Sequence, residues 1–216
     1  DPKKAVDLAM AYSPNPYNCS EGHYRAVQDR LKRFVASGRL GPFANAYWGN
    51  PSFKLPPEAN LVITSHYLDA LKISKVGAQM QAIFGGKNPH PQSLVVGGIT
   101  SVMDALDASR IADYLFRLKE VTHFTETALL PDVMIAATYY KDEGAAGIGA
   151  GVPNYLCYGG FPLDDDWNAT LLPKGVVKNR DIANPLPLDE TKITEDVTHA
   201  WYEGEDNLHP YDGKTD

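Results

Sequence analysis

Cysteine is nearly absent from this chain. Its 216 residues contain two, Cys19 and Cys157, far apart and in unrelated surroundings. Neither belongs to a CxxC pair, so no zinc ribbon, redox dithiol or cluster motif is encoded. Sparse cysteines of this kind are expected to be reduced or buried rather than bridged to one another. Long apolar runs are missing too. The longest, such as Val133–Ala137, fall well short of the roughly 18 residues a membrane helix needs. No basic segment leads into an apolar one, so no secretory signal is recognisable. Positive charge is in deficit, with 20 Lys and Arg against 27 Asp and Glu and a net charge of −7. That excludes the basic footprint of a nucleic-acid surface or a polybasic membrane anchor. The six histidines, at positions 23, 66, 90, 123, 199 and 209, form no HxH or HExxH spacing. Each alone reads first as a satisfied surface or core residue.

Other fragments of motif dissolve on inspection. Gly144–Gly151 has no following Lys-Ser/Thr and no strand-to-helix setting, so it is not a phosphate loop. Successive carboxylates Asp164-Asp165-Asp166 cannot all face one ion, and a solvated turn is expected. Asn18-Cys19-Ser20 and Asn168-Ala169-Thr170 match the glycosylation sequon by spelling alone. The chain begins at Asp1 without Met and stops at Asp216, shortly after His209-Pro210-Tyr211-Asp212-Gly213. Both ends read as cuts.

What remains is ordinary globular material, 44% hydrophobic and 22% charged, long enough to bury a real core. Residues 1–11 read as a helix tail, broken by Ser13-Pro14-Asn15-Pro16. Ser20 is a suitable N-cap, with Glu21 in the first turn. Tyr24, Val27, Leu31, Phe34 and Val35 then follow at helical spacing up to Gly38. The stretch from Gly41 to Phe53 has too many breakers for a regular element and too many aromatics for a linker, so a loop packed into the core is expected. Pro57 suits the first position of the longest helix. Leu61, Tyr67, Leu68, Leu71, Val76, Met80 and Ile83 carry it to Gly85-Gly86, where a glycine can take the left-handed terminating conformation.

A third helix starts near Asp107, with Ile111, Tyr114, Leu115, Leu118, Val121 and Phe124 as its stripe. Pro131 should kink or restart it before a further apolar turn, Val133 to Tyr140. Beyond lie a flexible glycine run, a strand at 154–158, a hairpin at 171–177 and a last short helix from Ile193 to Trp201. The expected fold class is mainly α, long packed helices followed by an irregular, partly β C-terminal third. Residues 1–140 form its helical segment and 141–216 an irregular α+β segment of the same domain.

One stretch is chemically distinctive: Phe84-Gly85-Gly86-Lys87-Asn88-Pro89-His90-Pro91-Gln92. A residue before proline is driven to extended conformations, so both Asn88 and His90 are restricted. The backbone around His90 is stiff, which suits an imidazole that orients a hydrogen bond. A rigid loop between two helices would contain the same pattern for packing alone. From residues only, this is a helical domain with no self-contained active site.

Gly41-Pro42-Phe43-Ala44-Asn45-Ala46-Tyr47-Trp48-Gly49-Asn50-Pro51, with Lys54-Leu55-Pro56-Pro57-Glu58-Ala59-Asn60-Leu61 behind it, resembles the large subunit of nickel–iron hydrogenases. So does the block around His90 followed by Val96-Gly97-Gly98. The ending His199-Ala200-Trp201-Tyr202 and His209-Pro210-Tyr211-Asp212-Gly213 is similar to the same family farther along. The form Gly-Gly-Lys-Asn-Pro-His-Pro looks closest to the membrane-associated uptake branch. A chain that only docks a partner, or a quinone-site subunit of the complex I type, is the alternative.

The resemblance implies an enzyme that couples dihydrogen to protons and electrons at a nickel–iron centre whose iron carries carbon monoxide and cyanide. Electrons would leave through iron–sulfur clusters of a small subunit, the heterodimer partner, with a membrane cytochrome beyond it. The complex would lie on the periplasmic side of the membrane, exported with that small subunit. The family holds its metals with two CxxC pairs near the ends of the complete subunit. Cys19 and Cys157 match neither, so no catalytic or metal residue is assigned here, and this segment alone is expected to be inactive. The catalytic base and the arginine near the iron would also lie elsewhere. Many relatives have cysteine where this chain has Ser101, a position that is not a metal ligand. The residue the resemblance does carry over is His90, which would approach the partner's nearest cluster, with Lys87, Pro89 and Gln92 as its loop neighbours.

Overall fold

Helix starts are set by short side chains that satisfy the free N–H groups of a first turn, and the N-terminal half uses this device repeatedly. In the computed structural model, which describes residues 1–45, 49–195, 203–204, 207–209 and 211–214, Asp1 caps α1 (Pro2–Tyr12) through the Lys3 N–H. Ser20 caps α2 (Glu21–Ala36) through the His23 N–H at 3.2 Å. Pro57 opens α3 (Pro57–Gly85), which Gly86 ends at φ 78°. At 29 residues, α3 spans roughly 43 Å. A short antiparallel pair, β1 (Leu94–Val95) and β2 (Gly98–Ile99), and a one-turn α4 (Val102–Leu106) lead to α5 (Ala108–Phe124). Asp107 caps α5 through the Ser109 and Arg110 N–H groups.

The helix restarts at Pro131, which stands in the first turn of a new segment. A π turn, Thr125–Leu129, is inserted ahead of it, and α6 (Leu130–Tyr139) continues from there. Proline has no N–H to give the Thr127 carbonyl. The Tyr17 N–H supplies that hydrogen bond instead, at 3.1 Å. The loop after α1 is thereby tied to the point where α5 passes into α6. A short α7 (Lys141–Ala145) follows and takes in Gly144 and Ala145, the start of the glycine run expected to be flexible.

The chain divides into two compact units, Asp1–Ala146 and Gly147–Asp216. The core of the first is built from Ala5 and Ala9 of α1, Tyr24 and Val27 of α2, Ala59, Leu61 and Val62 of α3 and Ile135 of α6. Ala5 and Ala9 are the buried residues of α1. A second cluster joins Ile73, Phe124 and Ala128, with Tyr17 packed edge-on against Phe124. Two expected features are corrected here. Tyr67 and Leu71 are exposed, and α3 turns Ser65, His66 and Asp69 inward in their place. Of the α5 stripe, Phe124 alone is fully buried.

The aromatic loop is also corrected. Its described part, a 3₁₀ turn at Gly41–Asn45 and residues 49–56, leaves Phe43 and Phe53 about half exposed rather than packed into the core. Phe43 stands edge-on to Phe34 at the end of α2, and the loop is fastened by the Lys54 N–H to the Tyr140 hydroxyl at 2.9 Å. Residues 46–48 of that loop lie outside the described residues.

In the second unit the strands are nested. Here β3 (Tyr155–Cys157) pairs with β6 (Gly175–Val177), and inside them β4 (Gly160–Pro162) pairs with β5 (Thr170–Leu172), both antiparallel. The hairpin expected within 171–177 does not form. Strand β6 instead lies between β3 and Leu186, with Val176 and Leu186 exchanging two hydrogen bonds of 2.8 Å. Asp164 closes the β4–β5 turn by accepting from the Asn168 and Ala169 N–H groups. Glu190 gathers Lys174 at 2.5 Å and the Tyr158 hydroxyl, while its carbonyl accepts from His209 Nε2. Of the last expected helix, Ile193 and Thr194 are not helical and Glu195 bridges to Leu208. Its remainder, with His199 and Trp201, lies outside the described residues.

Candidate functional site

The loop after α3 is held by contacts that leave its histidine free. Gly86 at φ 78° turns the chain back on the helix, a backbone state that glycine adopts without penalty. The Gln92 N–H then donates to the Gly85 carbonyl at 2.8 Å. The return is tight. A Cβ on Gly86 would stand 2.9 Å from Gln92 Nε2, and one on Gly85 would stand 3.2 Å from Pro91 Cβ. The Asn88–Pro89 peptide is cis. Gln81, one turn back on α3, donates from Nε2 to the Pro89 carbonyl at 2.6 Å and accepts through Oε1 from Asn88 Nδ2.

All four residues singled out from sequence, Lys87, Pro89, His90 and Gln92, are exposed. Gln92 is part of the fold of the loop. The His90 imidazole forms no hydrogen bond and no ring contact among the described residues. The loop continues into β1 and β2, where Leu94, Val95, Val96 and Ile99 are also exposed.

The sequence reading missed a second group, buried inside the first unit. His66 lies 2.9 and 3.0 Å from the two Asp132 carboxylate oxygens through Nδ1, and 3.1 Å from the Tyr17 carbonyl through Nε2. Both ring nitrogens face acceptors, an arrangement that favours the doubly protonated ring. Burial, the largest influence, pulls the imidazolium down. The Asp132 hydrogen bond and charge, with the Tyr17 carbonyl and Asp69, together outweigh it and hold His66 above its ordinary pKa. One turn along α3, Asp69 accepts from Asn18 Nδ2 at 2.9 Å and from Lys72 at 2.6 Å. Burial raises the Asp69 carboxyl, and these two donors more than reverse that, leaving it below the usual range. Ser65 meets His23 Nε2 at 2.7 Å. A signal for this group existed: positions 62, 65, 66, 69, 73, 76 and 80 share one helical face, although three of them are polar.

None of this is a metal site. Among the described residues no three His, Cys, Asp or Glu side chains come together as possible ligands. Both cysteines are free, one in each compact unit. Burial pushes the Cys19 thiol upward, and the Tyr24 hydroxyl beside it only partly offsets this, which disfavours the thiolate a metal would need. A shallow depression of about 390 Å³ on α5, lined by Leu115, Leu118, Lys119, Thr122, His123 and Glu126, contains none of the residues expected to act. The described residues therefore do not fit a nickel–iron centre.

Comparison with known proteins decides the affiliation. The family described as nickel-dependent hydrogenase matches residues 1–216. The chain belongs to that family. The quinone-reactive Ni/Fe-hydrogenase large chain of Wolinella succinogenes is 48% identical over 217 residues, covering 100% of this chain and 37% of that protein. The uptake hydrogenase large subunit of Alcaligenes hydrogenophilus is 42% identical over 234 residues, covering 100% of this chain and 38% of that one. Among solved structures, the Ni-Fe-Se hydrogenase of Desulfovibrio vulgaris Hildenborough superposes with a TM-score of 0.61 at 33% identity, over 75% of this chain and 32% of that one. The chain thus spans well under half the length of the hydrogenase chains it matches. The mainly helical fold expected from the sequence agrees with these hydrogenase relatives.

Proposed function

We propose that this chain is the central part of a hydrogenase large subunit that interconverts dihydrogen with protons and electrons at a nickel–iron centre. The observation that carries the proposal is coverage: two large chains, named as quinone-reactive and uptake hydrogenases, match it along its entire length. In this reading the metal thiolates, the carbon monoxide and cyanide ligands and the catalytic base belong to sequence on either side. The helices of the first unit supply a packed, water-poor wall that keeps such a centre positioned. Electrons pass to an iron–sulfur small subunit and on to a membrane cytochrome. The heterodimer works on the periplasmic side, exported with the small subunit.

Within that reading His90 addresses the partner's nearest cluster. Its exposed, unbonded imidazole on a clasped loop supports this, since a hydrogen bond to a cluster sulfur or its ligand is one of few protein levers on cluster potential. The parent protein, matured and paired, should reduce a viologen dye under hydrogen; a correctly matured heterodimer that does not would refute the proposal. His90→Ala should leave nickel content and folding nearly intact, because an exposed loop side chain can be truncated without opening a cavity. It should instead shift the midpoint potential of that cluster in a redox titration followed by electron paramagnetic resonance. Superimposable titrations with a lowered melting temperature would leave His90 a purely structural residue. Export is tested by fractionating cells that lack the small subunit: large subunit found outside the cytoplasm would end the shared-export part.

A further inference from the structure

We infer that Gln81 is the positioning residue for His90. This rests on the reading of His90 given above and adds the residue through which the helix sets that histidine's direction. Gln81 lies near the end of α3, within the regular part of the helix, so its Cα is fixed by the helix itself. Its terminal amide is used at both ends and on neighbouring residues. Nε2 donates to the Pro89 carbonyl at 2.6 Å, and Oε1 accepts from Asn88 Nδ2. A carbonyl accepts only, so the amide has one possible orientation. The two bonds hold the peptide immediately before His90. On the far side, the Gln92 N–H is held by the Gly85 carbonyl, and Pro91 packs where a Gly85 side chain would stand. The backbone on each side of His90 is thus referred to the last two turns of one helix, while the imidazole itself is left without a partner.

That division of labour suits a histidine that must reach an external acceptor at a set angle. A hydrogen bond weakens steeply as its angle degrades, so freeing the Pro89–His90 peptide should cost His90 its effect without removing the ring. Among the described residues Gln81 is the helix side chain that holds the chain before His90, whereas Gly85 acts on Pro91 and Gln92 after it.

The test uses the matured heterodimer and the midpoint potential of the cluster nearest the large subunit. Gln81→Met keeps side-chain length and helix propensity but can make neither bond. Gln81→Glu keeps the acceptor for Asn88 and loses the donor to Pro89. The expected results are a shift in Gln81→Met in the same direction as in His90→Ala, a smaller one in Gln81→Glu, and no additional shift when Gln81→Met is added to His90→Ala. Amide exchange in residues 86–92 should rise about tenfold in Gln81→Met, as expected for losing roughly one net hydrogen bond. A merely structural glutamine would speed exchange and leave the potential in place, which would overturn the inference. So would a Gln81→Met shift that persists in the absence of His90, since the glutamine would then act by another route. If His90→Ala leaves the potential unchanged, the reading of His90 fails and the positioning role falls with it. If His90→Ala shifts it and Gln81→Met does not, only the inference fails.

Discussion

Two buried side chains in the first unit make opposite demands on their surroundings. Tyr24 is fully buried, yet among the described residues its hydroxyl finds no full hydrogen bond, only the weakly bonding Cys19 thiol beside it. Burial drives its ionisation far above the ordinary range. Tyr24→Phe removes an unsatisfied group and keeps the ring, so thermal or denaturant unfolding should show no loss and up to about 1 kcal/mol of gain. A clear loss would mean that the hydroxyl has a partner, such as an ordered water. His66 is the reverse case, with every polar atom engaged. Truncating one partner of a buried pair strands the other, so His66→Ala should cost about 3–5 kcal/mol.

The His66 pair also fixes a pH dependence. Because its folded-state pKa is raised, the stabilisation is fully present below the unfolded value of about 6.5 and is lost as pH rises through the raised folded value. Asp69 runs the other way. Its lowered pKa gives a contribution present above the ordinary carboxylate value and lost as pH falls through the folded one. The stability advantage of wild type over His66→Ala should therefore shrink on raising the pH through that range. An advantage that grows with pH would contradict the ion pair.

At the scale of elements, helix ends were readable because they depend on local chemistry. Ser20, Pro57, Gly86 and Asp107 act where their residue types suggest. Ser20→Ala should lower stability by about 1 kcal/mol in a denaturant titration. Gly86→Ala should cost about 1–2 kcal/mol from its left-handed backbone alone, and the Gln92 side chain would have to move away as well. If Gly86→Ala is neutral, the clasp described for this loop is wrong. Strand pairing was not readable in the same way. Residues 171–177 look like a hairpin because two short apolar runs flank Pro173-Lys174. The pairing that forms joins β6 to β3 and to Leu186, partners that spacing within 171–177 does not identify. The buried face of α3 is hidden for a related reason. An apolar stripe does not mark it, since Ser65, His66 and Asp69 are satisfied by residues of α2, α6 and the loop after α1.

For the whole molecule, the isolated 216-residue chain should bind no nickel in stoichiometric amount. It has no CxxC pair, and among its described residues no three possible ligands come together. About one nickel per chain by elemental analysis, the figure a single site would give, would show that it carries ligands of its own. The amino-acid sequence by itself determined the helical class, the caps, the hydrogenase kinship and the stiffness around His90, because each is written in neighbouring residues or in contiguous blocks. Tertiary structure alone decided that Gln81 grips the His90 loop and that His66 pairs with Asp132. It also decided that the Thr127 carbonyl freed by Pro131 is taken by Tyr17, and that β3 and β6 enclose β4 and β5. Each of these joins groups that only the folded chain brings within bonding distance, and a hydrogen bond depends on that distance, not on separation along the sequence.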